Sequence, residues 1–193
     1  SFLKTSGMVF VKGYSLNSYK VAFNRMGSAI FNTIRIPLIA LVLVVLFATF
    51  ISYLAVRKRN LFTNLIDSLS MVPYIVPGTV LGIAFISSFN TGLFGSGFLM
   101  ITGTAFILIM SLSVRRLPYT IRSSVASLQQ IAPSIEEAAE SLGSSRLNTL
   151  AKITTPMMLS GIISGAILSW VTMISELSTS ILLYNVKTRT MTV

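Results

Sequence analysis

Long apolar runs alternate with short basic or polar segments along this chain. Residues 37–56 are uncharged, and 20 residues of α-helix measure about 30 Å, which matches the hydrocarbon core of a bilayer. The basic run Arg57-Lys58-Arg59 is predicted to end that helix. Three further apolar runs predict three more helical spans, which gives four in total: residues 69–89, 98–114 and 157–175.

The second predicted span contains Pro73, Pro77 and Gly78. Proline frees a backbone carbonyl, which is tolerated inside a membrane where the carbonyl is buried in protein or faces a water-lined cavity. One interpretation is a simple kink. The other is a helix that lines a transport pathway, with Pro77 and Gly78 as candidate pathway residues.

Two glycine pairs with the G-x-x-x-G spacing lie in the predicted spans. Small residues at this spacing let two helices approach closely within a membrane. We therefore predict that helix packing depends on Gly78 with Gly82, and on Gly161 with Gly165.

The segments between the spans are more polar. Residues 1–35 carry five basic residues and no acid, so we expect a lead-in outside the membrane with a short interfacial helix over residues 17–31. Residues 60–70 are predicted to be a short amphipathic connection, and residues 90–97 a glycine-rich turn. After the fourth span, residues 178–184 continue apolar and residues 185–193 are polar.

The most polar stretch is 134–156, and it predicts a helix–glycine–helix elbow. Ser134 and Glu137 have the spacing of a capping box, and Gly143 suits the left-handed residue that ends a helix. A second short helix is predicted to start at Ser144 or Ser145 and to end at Pro156. The first helix is expected to carry an apolar stripe made of Ile135, Ala138, Ala139 and Leu142.

Arg115-Arg116 is predicted to close the third span, and Pro118 to begin a helix that leads into the elbow. The three glutamates of the elbow are expected to lie on a solvated polar face. They are Glu136, Glu137 and Glu140.

Composition narrows the function. Apolar residues make up 53% of the chain and charged residues only 10%, far below the share in soluble domains. The net charge of +10 is spread between apolar runs, which favours a membrane protein over a nucleic-acid-binding protein. The chain has no histidine, no cysteine and no phosphate-binding G-x-x-x-x-G-K-[ST] motif, so we expect no enzyme, no cofactor and no metal site.

The basic clusters at 57–59 and 115–116 predict that residues 57–70 and 115–156 face the cytoplasm. Glu176 is the only acid outside those two loops. Counted from Met157, it would lie about 28 Å along the fourth span, near its outer end. We hypothesise that it contacts or gates a cationic cargo; the alternatives are that it reaches the outer headgroups or pairs with Lys187 or Arg189.

The elbow also resembles a known family. Glu137-Ala138-Ala139, three residues, Gly143, nine residues, Ile153, one residue and then Thr155-Pro156 is similar to the EAA loop of ABC-importer permeases. Thr155 departs from the apolar residue usual before that proline. In the family this loop docks on the ATPase subunit, which implies a docking site made of Glu137, Ala138, Ala139, Leu142, Gly143, Ile153 and Pro156.

The resemblance covers about residues 30–193, and it implies an all-α, type I importer transmembrane domain in the bacterial inner membrane. The implied partners are an ABC ATPase subunit, a periplasmic or lipoprotein substrate-binding protein, membrane lipid and a second permease domain, from a homodimer or a fused repeat. ATP hydrolysis would lie on the ATPase subunit. Family permeases have at least one more span after this point, so we expect residues 1–193 to be a single domain truncated before a final span.

Residues 174–184 look most like ferric-iron permeases, which implies ferric iron as the cargo. Polyamine, thiamine, phosphonate and sulfate or molybdate importers are the alternatives. A different class, an ATP-independent secondary transporter or a structural membrane subunit, also fits the apolar pattern.

Overall fold

The computed structural model of the protein describes residues 3–6, 9–14, 16–91 and 100–193. The prediction of an α-helical fold is confirmed, with one short antiparallel hairpin at the start of the chain. The elements in chain order are β1 (Leu3–Ser6), β2 (Val9–Tyr14), α1 (Asn17–Arg57), α2 (Leu61–Ile75), α3 (Gly78–Phe89), α4 (Ala105–Gln129), α5 (Pro133–Ser141), α6 (Arg146–Thr149), a π-helical stretch (Leu150–Thr154), α7 (Thr155–Met157), α8 (Leu159–Ile174) and α9 (Ser180–Leu183).

Helix α1 is one continuous helix of 41 residues, so the predicted separation of an interfacial helix from the first span is wrong. Pro37 lies inside the helix, where it removes one backbone hydrogen bond. A stripe of buried, mostly small residues continues across the proline, from Ala29 through Ala40 to Ser52. This packing face, which α4 covers, stabilises the helix across the position of the missing bond.

The second predicted span is two helices, α2 and α3, bent by 110°. Helix α2 starts eight residues earlier than predicted, because Asn60 and Thr63 form a capping box. Pro73 lies inside α2 without ending it. The bend comes at Val76 and Pro77, both extended, since a residue before proline is pushed out of the helical region.

Helix α4 corrects the predicted end of the third span. It runs through Arg115, Arg116 and Pro118 to Gln129 without a break, so neither the arginine pair nor the proline is a boundary. The predicted start at residue 98 and most of the predicted turn at 90–97 lie outside the described residues; Met100 to Thr104 are described and are not helical. A left-handed Gly103, at φ 77°, precedes the start of α4.

Helix α4 is the centre of the bundle and packs against α1, α2 and α8. It runs parallel to α1: the Ser113 hydroxyl donates to Ala40 O, and Arg57 donates to Ile131 O beyond the end of α4. It runs antiparallel to α8. The main core lies between these helices and contains Ile36, Ala40, Val44, Ile107, Leu108, Leu112 and Met173.

The two glycine pairs lie at close contacts. A Cβ on Gly161 would come within 2.7 Å of Ser123 O, and one on Gly165 within 2.7 Å of Thr120 Cα, so α8 approaches the backbone of α4 closely. A Cβ on Gly82 would come within 2.8 Å of Leu182 in α9. Gly78 packs against Arg115 and Ser178.

By length and hydropathy, one described helical segment, Met26–Arg57, is sufficient to cross a membrane. The α2–α3 pair, and the segment Arg146–Met157 with α8 at an angle of 71°, raise the number to three if each bent pair is one span. Helix α4, with its three arginines, is not in this set. The number of four spans therefore stays a prediction.

Candidate functional site

The elbow begins with α5, which follows α4 after a short turn that includes Gln130 and Ile131. The predicted capping box of Ser134 with Glu137 is wrong, because Ala132 is the N-cap and Pro133 is the first helical residue. The ring of proline fixes φ near its helical value, and the residue before it prefers an extended conformation. Pro133 therefore sets the start of the helix without a side-chain cap.

Gly143 ends α5 in the left-handed conformation, with φ 90°, as predicted. The Gly143 amide donates to Glu140 O at 3.0 Å, and the Ser144 amide donates to Ala139 O at 3.0 Å. These two bonds form a Schellman motif, which satisfies the last carbonyls of the helix. A side chain larger than glycine has open space here, so the constraint on this position is its backbone conformation.

The second helix of the elbow starts where it was predicted. The Ser145 hydroxyl accepts a hydrogen bond from the Asn148 amide and caps α6. Pro156 does not end the helical run, contrary to the prediction: α7 includes it, and the chain turns only at Met158. The π-helical stretch ends two residues before Pro156, and the Thr155 amide donates to Leu150 O, five residues back, so the hydrogen-bond register shifts just before the proline, which has no N–H.

The predicted apolar stripe of α5 faces mostly outward. Ala138 is exposed and only Ala139 is buried. Leu142 is 90% exposed at the tip of the elbow, and Leu147 in α6 is 74% exposed. Of the other predicted docking residues, Glu137, Gly143 and Pro156 are exposed, and Ile153 is half-buried.

Glu136 fixes the elbow to the end of α1, a role that the sequence analysis missed. It is buried, not solvated as expected, and its Oε1 accepts hydrogen bonds from Arg57 Nε at 3.1 Å and from Thr154 Oγ1 at 3.0 Å. Arg57 also donates to Ile131 O at 2.8 Å. One carboxylate thus joins α1, α5 and the π-helical stretch.

A second buried charge cluster lies at the bend between α2 and α3. Glu176 is 5% exposed, and its carboxylate accepts hydrogen bonds from Arg115 Nη1, at 3.2 Å, and from Arg116 Nη2. Arg115 Nη1 also donates to Thr179 Oγ1 at 2.8 Å, and Thr179 Oγ1 donates to Gly78 O at 3.2 Å. The cluster therefore joins α3, α4 and the turn between α8 and α9.

The contacts of Glu176 correct two expectations. Its partners are Arg115 and Arg116, and neither Lys187 nor Arg189 pairs with it in the described structure. Because the three side chains touch, the arginine pair and Glu176 cannot lie at opposite ends of the hydrocarbon, where the sequence analysis placed them. Among the candidate pathway residues, Pro77 is exposed and Gly78 is buried. Within residues 16–91 and 100–193, no group of three or more acidic side chains is arranged to hold a metal ion.

A sequence profile described as binding-protein-dependent transport system inner membrane component matches residues 45–192. The ferric transport system permease protein FbpB of Actinobacillus pleuropneumoniae is 33% identical over 183 residues, which are 92% of this chain and 26% of that protein. The sulfate transport system permease protein CysT of Salmonella typhimurium is 27% identical over 67% of this chain and 49% of the relative. The molybdate/tungstate transport system permease protein WtpB of Pyrococcus abyssi is 29% identical over 68% of this chain and 50% of the relative.

The matched region includes both sites described above, from the second half of α1 to Thr192. A second ferric transport relative, the putative ferric transport system permease protein FbpB 1 of Haemophilus influenzae, is 33% identical over 97% of this chain. The chain spans only 26% and 28% of the length of these two ferric transport relatives.

Proposed function

Because the chain belongs to the family of binding-protein-dependent transport system inner membrane components, we propose that it is a permease domain of an ATP-driven importer of ferric iron. The fold class is that of a type I importer transmembrane domain. In the proposed cycle, the ATPase subunits close on ATP, move the elbow and switch the helices between outward-open and inward-open states. The chain itself would catalyse no reaction.

The observation that carries this proposal is the elbow. It exposes Leu142 almost completely and Leu147 by about three quarters, and it is held to α1 by the largely buried pair of Arg57 and Glu136. Two leucines this exposed on an element anchored by an ion pair support a protein partner at this position. We propose that this partner is the ATPase subunit, and that Glu137, Ala138, Gly143, Ile153 and Pro156 belong to the same docking site.

Ferric iron is proposed as the cargo because the relatives with 33% identity carry that name, whereas the sulfate and molybdate/tungstate relatives are 27% and 29% identical. A substrate-binding protein would deliver the cargo. A second permease domain, in another chain or in another part of a longer one, would complete the enclosure of the pathway.

Pro77 and Gly78 are proposed to border that pathway. Their segment leaves the helical conformation between α2 and α3, and irregular backbone at membrane depth is tolerated next to protein or a water-filled cavity. The domain would cross the inner membrane several times.

The test is reconstitution of the full protein in vesicles with its ATPase and binding protein. We expect ATP-dependent uptake of radioactive ferric iron. Leu142→Arg should abolish co-purification of the ATPase, because a charge replaces a leucine that is 90% exposed at the docking site. Val186→Arg is the matched control: Val186 is 93% exposed but lies after α9, far along the chain from the elbow, and the ATPase should stay bound.

Two results would contradict the proposal. If Leu142→Arg retained the ATPase as well as Val186→Arg did, the elbow would not be the docking site. If the vesicles accumulated sulfate or molybdate but no ferric iron, the proposed cargo would be wrong although the importer class would stand.

A further inference from the structure

Both oxygens of the Glu176 carboxylate are already engaged. Oε1 accepts from Arg115 Nη1 and from the Thr179 amide at 3.3 Å, and Oε2 accepts from Arg116 Nη2. The side chain of Glu176 is 4% exposed, and those of Arg115 and Arg116 are 17% and 12% exposed. The carboxylate is therefore not open to an arriving ion.

The net charge of the cluster also argues against binding of a cation by Glu176. Two guanidinium groups and one carboxylate sum to +1, so a cation near Glu176 meets a net repulsive charge. Without Glu176, the two largely buried arginine side chains would lie close together without the carboxylate that pairs with both of them in the described part of the chain, which is strongly unfavourable at low dielectric. The evident task of Glu176 is to neutralise these arginines.

Both helices at the bend between α2 and α3 are contacted by other elements, α2 by α1 and α4, and α3 by α4 and α9. Only Val76 and Pro77, both extended, connect the two helices, and rotation about their backbone would change the 110° angle. The first residue of α3 is held from outside by the hydrogen bond of Thr179 Oγ1 to Gly78 O. Thr179 in turn accepts a hydrogen bond from Arg115. The Arg115 guanidinium lies so close to Gly78 that a Cβ on residue 78 would overlap it.

We propose that Glu176 is a positioning residue for transport: by neutralising Arg115 and Arg116, it keeps Arg115 on Thr179 and so fixes the bend of the α2–α3 pair against the turn after α8. The effect on transport rests on the proposed importer function. The effect on the bend does not.

The experiment measures the bend directly in the full importer complex in vesicles, without nucleotide. Spin labels on cysteines at Val72 in α2 and Ile83 in α3, both about half exposed, report the distance across the bend by pulsed electron paramagnetic resonance. The chain has no cysteine of its own, so labels on these two positions are specific within it. Radioactive cargo uptake is measured in parallel.

We expect one narrow distance distribution for the parent and at least a twofold broader one for Glu176→Gln, with uptake reduced roughly tenfold or more, because the variant leaves two unpaired arginines. The double variant Glu176→Gln, Arg116→Gln restores the net charge of +1 and should regain the narrow distribution and most of the uptake. A cargo ligand would not be rescued in this way, since the carboxylate is absent from both variants.

An unchanged distribution in Glu176→Gln, or a double variant that stays as broad as the single one, would overturn the proposal. If Glu176→Gln fails to fold, Thr179→Val carries the test: it keeps all three charges, removes the link to Gly78 O and should broaden the distribution, and an unchanged distribution would refute the inference. If the parent takes up no ferric iron but the distances respond as expected, the proposed cargo fails and the positioning role stands.

Discussion

The contact of Glu136 with Arg57 gives a quantitative prediction about how the elbow is held. Glu136→Ala removes the acceptor for Arg57 Nε and Thr154 Oγ1 together, while the bond from Arg57 to Ile131 O survives. Hydrogen bonds to a charged group contribute about 1.5–3 kcal/mol each, and because these two share one oxygen we take about 3 kcal/mol for the pair. That is roughly a 100-fold rise in the population of elbows detached from α1.

Amide hydrogen exchange in the permease without its ATPase subunit measures this population, because a detached elbow exposes its amides and no docked partner covers them. Protection over residues 137–154 should fall roughly 100-fold in Glu136→Ala, while amides in the middle of α4 and α8 stay protected. Glu140→Ala is the matched control on the same helix. Its partner Arg146 is 3.6 Å away and 70% exposed, and an exposed pair contributes about 0–1 kcal/mol, so protection should change less than about fivefold.

Equal protection in the Glu136 and Glu140 variants would show that the elbow is held by something other than the buried pair. Thr154→Val offers an intermediate case, because it removes one hydrogen bond and leaves the ion pair intact.

Three further predictions follow from the glycines and the bend. Gly143→Val should strain the left-handed cap by roughly 1–2 kcal/mol and lower substrate-stimulated ATP hydrolysis while membrane insertion stays normal, and unchanged coupling would contradict the role of this cap. Gly165→Leu should lower the free energy of unfolding of the purified protein by about 1–3 kcal/mol, because a Cβ meets the α4 backbone at 2.7 Å. Gly27→Leu is the control: no described atom lies within 4 Å of a Cβ there, so it should not lower the free energy of unfolding, and equal losses in the two variants would refute the close packing. Single cysteines placed over residues 75–85 should react with a water-soluble reagent on the face that contains Thr79, Val80 and Ile83. A cysteine at Gly82, which lies against Leu182, should not react, and a lack of labelling at every position would contradict a pathway at this bend.

The features predicted well from the sequence depend on local backbone preferences. Gly143 takes the left-handed conformation because a residue without Cβ adopts it without steric strain. Ser145 caps α6, and the chain breaks just before Pro77, for equally local reasons. In each case the neighbouring residues suffice to choose the conformation.

Two prolines that were wrongly treated as helix starts show which features depend on distant contacts. Pro37 and Pro118 lie inside α1 and α4, where each helix buries a long face against the other. That contact involves residues about 70 positions apart, such as Ala40 and Ser113, and it outweighs the loss of one hydrogen bond. No window of sequence around the proline contains this information.

The arginines were misread for a related reason. A basic pair in an apolar chain was interpreted as the end of a span, yet Arg115 and Arg116 lie in the middle of α4 because Glu176, about 60 residues later, neutralises them. Arg57 was interpreted as the end of a span and as a marker of the cytoplasmic side, although it also binds Glu136. Sequence patterns give the charge of a side chain but not its partner.

The acids, more than the basic clusters, mark the tertiary contacts of this chain. Four of its five acidic residues pair with arginine in the described structure, and each pair connects different elements: Asp67 with Arg122, Glu136 with Arg57, Glu140 with Arg146, and Glu176 with Arg115 and Arg116. A buried acid is unfavourable unless a partner neutralises it, so the burial of Glu136 and Glu176 requires an arginine beside each of them. The partners are arginines because one planar guanidinium can serve two acceptors at once, as Arg57 does with Glu136 and Ile131 O. Replacing Arg57 by lysine would keep the charge but lose one of those two contacts, which come from separate nitrogens, so this position should tolerate lysine poorly.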